Sequence, residues 1–149
     1  MFPLYALRDL FTDFFGGPKL VTGSQLGALA DALTTATGGL TAAADGAQSD
    51  ATPLPAFANQ VDTVAGAADS VLLPLAVPGK MVFVCNNTAT AMQVFGHASN
   101  PANAGAGDTI TTPASHSPVA SGTGISMAAG VACFFVCCEL GNWKQGAIS

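Results

Sequence analysis

From about residue 67 onward the chain consists of short apolar runs separated by glycine, proline and asparagine. Runs of this length with alternating side-chain character predict β-strands rather than helices. Residues 131–140, VACFFVCCEL, are apolar at consecutive positions, so this strand is expected to be central in a sheet. The pattern predicts a mainly β fold, either an antiparallel β-sandwich or a jelly-roll-like domain, over residues 67–149. The predicted strands cover residues 70–76, 80–85, 90–95, 108–112, 125–128 and 131–140, with a last one at Trp143 and Lys144.

Residues 80–85 and 90–95 flank the tripeptide Asn86-Asn87-Thr88. The tripeptide matches the acceptor pattern for N-glycosylation, but asparagine pairs also form tight turns between strands. We interpret it as a turn, which predicts that the two flanking strands pair as a hairpin. Within the first of these strands, Met81, Phe83 and Cys85 share one face.

The first twenty residues follow a helical pattern. Large apolar side chains recur three or four residues apart, with Arg8, Asp9 and Asp13 between them, and residues 16–18 (Gly-Gly-Pro) end the pattern. A helix of about three turns is marginal in isolation. Its apolar stripe is therefore expected to bind protein, either its own domain, a second copy or another partner. The predicted partner-binding residues are Leu4, Leu7, Leu10, Phe11, Phe14 and Phe15.

Residues 21–66 are rich in alanine, glycine, threonine and serine and offer few large side chains for a core. Such a segment buries too little apolar surface to offset the entropy lost on ordering. We expect an extended arm, with short helical or strand pieces, that is ordered along another subunit. The sequence thus predicts an N-terminal helix and arm over residues 1–66 and a β-domain over residues 67–149.

Charged side chains make up 9% of the chain, and the formal net charge is -5 with only four basic residues. Soluble domains typically contain about 25% charged residues, so this surface is expected to be covered by partners, among them copies of the chain in a dimer or trimer. Four scattered positive charges cannot neutralise a run of phosphates, which argues against binding to nucleic acid or anionic lipid. No run approaches the ~18 apolar residues that span a bilayer, and the N-terminus lacks the basic segment of an export signal. Synthesis in a cytoplasm is expected.

Candidate catalytic groups are few. His97 and His116 lie in loops of small residues, Asp108 opens a predicted strand, and Glu139 ends one. Nucleophilic and acid–base catalysis need a base held beside its partner group by rigid elements, and no such pairing is evident. The chain is therefore predicted not to be an enzyme and to need no cofactor.

The four cysteines are expected to be free thiols, with Cys85, Cys133 and Cys137 buried in strands. Cys133 and Cys137 are spaced like zinc ligands, but along a strand their sulfurs would lie about 13 Å apart, too far for one tetrahedral site. No metal site is predicted. Trp143 is interpreted as a plug at the end of the β-domain, and the alternative is a platform for a sugar.

The β region resembles small virion proteins of tailed bacteriophages over roughly the last 80 residues. The recurring pattern is an apolar strand ending in Leu-Pro, a glycine, alternating valines before an asparagine, a Val-Phe strand, Gly-Asp-x-Ile, an Ala-Ala-Gly turn, a phenylalanine-rich strand and Gly-x-Trp. The matching residues are Leu73-Pro74, Gly79, Val82, Val84, Asn86, Val94-Phe95, Gly107-Asp108-Thr109-Ile110, Ala128-Ala129-Gly130, Phe134-Phe135 and Gly141-Asn142-Trp143.

The resemblance implies a capsid decoration (cement) protein, or a related head or tail accessory protein, that binds the major capsid protein on the outside of the virion and stabilises the shell. A different virion accessory role or a carbohydrate-binding host-adhesion module is the alternative. If the chain is a carbohydrate-binding module, loops 96–107 and 113–124 would determine which sugar it binds.

Overall fold

A computed structural model of the chain describes residues 35–148, which are mainly β-structure with one short 3₁₀ helix, Pro101–Asn103. The predicted N-terminal helix and its six partner-binding residues lie outside this range. Within it, no helix is long and apolar enough to span a membrane. The strands in chain order are β1 (Ala36–Thr41), β2 (Thr52–Pro53), β3 (Ala58–Thr63), β4 (Ser70–Leu72), β5 (Met81–Asn86), β6 (Met92–Phe95), β7 (Thr109–Thr111), β8 (Pro118–Val119), β9 (Ile125–Met127), β10 (Ala132–Glu139) and β11 (Asn142–Ile148).

The strands form two sheets. The larger has seven strands in the order β1-β3-β5-β10-β11-β7-β8, and the smaller has four in the order β2-β4-β6-β9. The prediction that residues 131–140 form a central strand is confirmed, because β10 is the fourth strand of seven. Strands β1 to β3 precede residue 66 and pair within these same sheets, so the arm predicted for residues 21–66 contributes strands to the fold from Ala36 onward.

Successive strands from β1 to β6 alternate between the two sheets. The chain reverses direction at each crossing, so the next strand in the same sheet runs parallel to the one before it. Strand β1 is accordingly parallel to β3 and β3 to β5 in one sheet, while β2, β4 and β6 are parallel in the other. Antiparallel pairs join β5, β10 and β11. Both sheets are therefore mixed, and the predicted purely antiparallel arrangement is wrong.

The predicted hairpin of residues 80–85 and 90–95 is also wrong. Strand β5 pairs with β3 and β10, whereas β6 lies in the other sheet between β4 and β9. The Asn86 side chain explains the crossing: its Nδ2 donates to the carbonyl oxygens of Thr90 at 2.8 Å and Ala128 at 3.1 Å. Its Oδ1 accepts from the Thr88 hydroxyl at 2.8 Å. Asn86 is fully buried and ties the turn to a neighbouring loop rather than to a hairpin partner.

The hydrophobic core is one cluster with members from both sheets. Alternate residues of the large sheet enter it, including Val82 and Val84 from β5 and Phe135 from β10. Residues of the small sheet, such as Val71 and Met92, complete it. Since alternate strand residues point to opposite sides, the neighbours of these core residues in the large sheet lie on its other face.

A buried carboxylate organises the crossing from β3 to β4. Asp69 is 3% exposed; its Oδ2 accepts from the backbone N–H groups of Ala65 at 2.7 Å and Gly66 at 3.1 Å, and its Oδ1 from that of Asp45 at 3.3 Å. The hydrogen bond from the Gly66 N–H, followed by that from Ala65, holds the pKa of the carboxyl group below its usual value. The ionised side chain thus joins two crossings: the one from β1 to β2, through Asp45, and the one from β3 to β4, through Ala65 and Gly66.

All four cysteines are free thiols. Cys133 and Cys137 are buried, as predicted, whereas Cys85 is only half-buried and Cys138 is exposed. Cys85 belongs to the face of β5 opposite the core, which is why the apolar strand around it does not bury it completely. Burial raises the pKa of the Cys137 thiol.

Asp69→Asn is expected to lower stability at neutral pH and to flatten the acid side of the stability profile. Because the folded-state pKa of Asp69 is lowered, its contribution is present above the unfolded pKa of about 3.9 and is lost as pH falls through the folded value. Urea unfolding midpoints of both proteins between pH 7 and pH 2.5 measure this. A gap between the two midpoints that stays constant or widens toward low pH would contradict the role of the carboxylate.

Alkylation of the native protein should modify Cys138 first, Cys85 more slowly, and Cys133 and Cys137 only after unfolding, because the reagent reaches a sulfur atom only where the side chain is exposed. Burial also raises the pKa of the Cys137 thiol. Peptide mass spectrometry after timed exposure to N-ethylmaleimide, without reductant, distinguishes the four thiols. The same reaction in denaturant is the control and should label all four sites. Rapid native labelling of Cys137 would contradict the fold around β10.

Candidate protein-binding face

Both histidines of the chain, His97 and His116, lie within the described residues and can be placed. His116 is exposed in the loop before β8, and the adjacent Ser115 hydroxyl donates to the Ser117 carbonyl at 2.8 Å. Neither the His97 nor the His116 side chain has a hydrogen bond to another residue within 35–148. Activation of a serine by a histidine requires that hydrogen bond, so the described part of the chain offers no support for this chemistry.

Asp108 has a structural environment. It is 1% exposed, and its Oδ2 accepts from the backbone N–H of Ala76 at 2.8 Å. Its Oδ1 accepts from Asn100 Nδ2 at 2.8 Å, and the same amide donates to the Ala76 carbonyl at 3.0 Å. The pair therefore satisfies both backbone groups of Ala76 in the crossing from β4 to β5. Glu139, the other acid of the β region, is exposed at the end of β10.

Two further candidate sites from the sequence can be placed. Trp143 is fully buried in the core cluster, which leaves no ring face free to stack on a sugar. Among residues 35–148 no group of three or more His, Cys, Asp or Glu side chains could hold a metal ion. Cys133 and Cys137 both face the core, four residues apart along β10.

The surface best suited to a partner is the side of the large sheet that faces away from the core. We call it the outer face and define it by Ala58 of β3, the alternate residues of β5 and β10 that point outward, and Gly146 of β11. These side chains lie outside the core cluster and are half-buried or exposed. The residues contributed by β5 and β10 are Met81, Phe83, Cys85, Ala132, Phe134 and Val136.

A row of aromatic rings crosses this face. The Phe57 and Phe83 ring centroids are 5.1 Å apart, and those of Phe83 and Phe134 are 6.3 Å apart. Both distances lie within the range at which tilted rings attract one another. Phe134 in turn covers Gly146, its cross-strand partner, so closely that a Cβ there would overlap its ring. Each ring of the row therefore packs against a neighbouring ring, and Phe134 also packs against the backbone of β11.

A groove of about 330 Å³ opens beside this row. Its walls come from β1, β3, β5 and β10, and they include Ala36, Phe83, Cys85 and Ala132. Apart from the backbone of β1, the groove is lined by small or apolar side chains and by the side-chain amides of Asn59 and Gln60. Such a surface has no ionisable group except the Cys85 thiol and is suited to an apolar side chain of another protein segment.

Charges lie only at the ends of the outer face. Val136 pairs with Met81 on one side and with Lys144 on the other, and Lys80 directly precedes Met81. At the opposite end Asp62 accepts from the Gly39 N–H, Asn87 and Gln60, all at 2.8 Å or less. The hydrogen bond from Asn87 is the main reason that its pKa is lowered. The face thus has a basic end and an acidic end, and the carboxylate at the acidic end is already hydrogen-bonded within the chain.

Sequence alternation had indicated the shared face of Met81, Phe83 and Cys85, and the double-sided apolarity of residues 131–140. It had not indicated a binding site there. The missing signal was spatial: only the pairing of β5 with β10 joins the two apolar stripes into one surface. Met81, at the end of its row beside Lys80, is 43% exposed.

Asp108→Ala is expected to lower the free energy of unfolding by about 2–5 kcal/mol, because it leaves the buried Ala76 N–H and one of the two N–H groups of the Asn100 side-chain amide without an acceptor. Chemical denaturation measures the loss. Asp50→Ala, at an exposed carboxylate, is the matched control and should change stability by less than about 0.5 kcal/mol. Equal free energies of unfolding for the two variants would show that the buried hydrogen bonds of Asp108 do not stabilise the fold.

Comparison with protein-family models, with curated proteins and with solved structures finds no match to the chain.

Proposed function

We propose that the chain is a structural protein of a tailed-phage virion, a decoration protein that binds the shell of major capsid protein and stabilises it without catalysis. The observation that carries the proposal is the outer face, a rigid, apolar and nearly uncharged surface on a β-domain. A freely diffusing protein rarely leaves such a surface bare.

The proposal extends to the architecture. We infer that the two sheets pack face to face as a sandwich, because Val82, Val84 and Phe135 of one sheet share a core with Val71 and Met92 of the other. A sandwich with polar groups satisfied inside its crossings is stiff and exposes sheet faces and edges. Those are suitable surfaces for a protein that links others rather than transforming a substrate.

Charge and composition support the same role. Only 9% of the residues are charged, so the surface is poorly suited to a monomer in solution. It is better suited to a protein layer in which neighbouring subunits cover it. A protein that binds only the assembled shell stabilises that state by mass action. Repeated sites on a symmetric particle increase the effect through multivalency.

Particles assembled with and without the chain provide the test. Those lacking it should release DNA at a lower temperature, measured by the fluorescence of a DNA-binding dye during heating, and added purified protein should restore the wild-type temperature. Equal heat stability, or failure of the purified protein to bind the particles, would overturn the decoration role.

Two exposed apolar residues supply matched variants for this experiment. Met81, on the outer face, is 43% exposed, and Leu140, in the turn between β10 and β11, is 39% exposed. Met81→Lys should weaken retention on particles, because it places a charge in the apolar surface, whereas Leu140→Lys should not. Loss of binding by both variants alike would assign the contact to general surface hydrophobicity rather than to the outer face.

A further inference from the structure

The two sheets end in four edge strands, β1 and β8 in the large sheet and β2 and β9 in the small one. An edge presents unpaired backbone N–H and C=O groups, and proteins protect it with short strands, proline or charge. Strands β2 and β8 have two residues each and include Pro53 and Pro118, and β9 has three residues. Strand β1 has six residues, ATGGLT, without proline or charge. It is therefore the edge best suited to pair with another strand.

The backbone of β1 has hydrogen-bonding groups that β3 does not use. Ala36 lies opposite Ala58 in the parallel pair, and the Ala58 N–H donates to the carbonyl of the preceding residue, Thr35, at 3.0 Å. Alternate residues of a parallel strand bond to the same neighbour, so the N–H and C=O of Ala36 point away from β3. Both Ala36 and Gly38 are exposed. An extended chain offers donors and acceptors at the spacing of such groups.

A bulge gives β1 a side-chain pattern that is the same in both directions. Thr37 lies opposite Asn59, and Leu40 lies opposite Val61. Because Asn59 and Val61 are both buried on the core side of β3, Thr37 and Leu40 face the core as well, although they are three positions apart. The first and last residues of β1 are exposed and point the other way. The order along the strand is thus outward, inward, Gly-Gly, inward, outward.

We infer that β1 pairs with β1 of a second copy of this chain, antiparallel and about a two-fold axis that passes between Gly38 and Gly39. Residues directly opposite each other in an antiparallel pair share one face of the sheet. The symmetric pattern meets this condition, because outward residues then lie opposite outward ones and inward residues opposite inward ones. Ala36 lies opposite Thr41 of the second copy.

Charge favours a second copy as the partner. Like charges directly opposite each other destabilise a strand pair, and β1 has none. The nearby Asp62 of β3 accepts a hydrogen bond from the Gly39 N–H within its own chain. In two paired copies the Asp62 residues are three inter-strand gaps apart, roughly 14 Å. Salt screens charges beyond about 8 Å at physiological ionic strength, so the pair does not repel itself.

The size of the contact predicts that pairing is weak between free copies. Each edge is about 20 Å long and 10 Å thick, so two edges bury roughly 400 Å², well below the ~1,200 Å² of a stable interface. Copies that are held side by side have a high effective concentration, which raises the paired fraction. Pairing is therefore expected to be strongest within an assembly.

Pairing at this edge leaves the outer face uncovered. A two-fold axis between antiparallel strands is perpendicular to the sheet, so the two outer faces lie on the same side of one continuous sheet. This consequence rests on the proposed function: a pair would bind the capsid shell through two outer faces at once, which increases the affinity through multivalency. The pairing itself depends only on β1.

Disulfide trapping tests the pairing in the full chain. Cys85→Ser and Cys138→Ser first remove the two thiols that are not buried. Ala36→Cys and Thr41→Cys are then made in separate proteins of this background, which are oxidised mildly, each alone and as an equimolar mixture. Opposite residues of an antiparallel pair have Cα atoms about 4.5–5.5 Å apart, within reach of a disulfide. Identical positions in the two copies lie about 16 Å apart along the strands, so each protein alone is the matched control.

The mixture should give a dimer that links position 36 of one variant to position 41 of the other, about tenfold more abundant than the dimers from either variant alone, because pairing holds these thiols at a high effective concentration. Peptide mass spectrometry identifies the linked positions. Equal yields from the mixture and from the single variants would overturn the antiparallel pairing. Absence of linked dimer, from variants that elute and unfold like their background when reduced, would overturn pairing at β1 altogether. Neither result bears on particle binding, which the heating experiment measures separately.

Discussion

The structure depends on one constraint: where the chain crosses between the sheets it leaves the strand ladders, and its backbone N–H and C=O groups need other hydrogen-bond partners. Four polar side chains meet this need at three of the crossings. Asp69 accepts from the crossing before β4, Asn86 bonds across the crossing after β5, and Asp108 with Asn100 holds Ala76 between β4 and β5. Each is almost fully buried. An apolar substitute would fill the space but leave the crossing without partners, which is the costlier outcome.

The same constraint explains which parts of the fold could be predicted from the sequence. A central β10 followed from consecutive apolar residues, since both sides of a strand must then be covered. The two faces of β5 followed from alternation alone. These inferences need only the period of the side chains, which a strand displays wherever it lies.

Partners of strands could not be predicted in the same way. The Asn86-Asn87-Thr88 turn has the composition of a hairpin turn, yet the hydrogen bond from Asn86 to Ala128 directs it into a crossing. Strand β3, with the sequence ANQVDT, buries only Asn59 and Val61 and was hidden in what looked like an arm. Its place is decided by pairing with β5, a contact 22 or more residues away that local pattern does not encode. The outer face was missed for the same reason, because it exists only once β3, β5 and β10 are adjacent.

Many of the residues on which the proposed resemblance to phage virion proteins rests lie at positions that these crossings and turns require. Gly79, Gly130 and Gly141 have positive φ angles, in which a side chain is strained, and Asn86 and Asp108 are buried polar residues. Of the outer face, Phe134 belongs to that set of residues, whereas Met81, Cys85 and Val136 do not. Two proteins can thus share every turn and buried hydrogen bond while presenting different side chains on the outward positions of the same strands. On the proposed function, the choice of partner would therefore depend on the outward positions of β5 and β10 that lie outside this set, because their side chains take no part in the hydrogen bonds of the crossings.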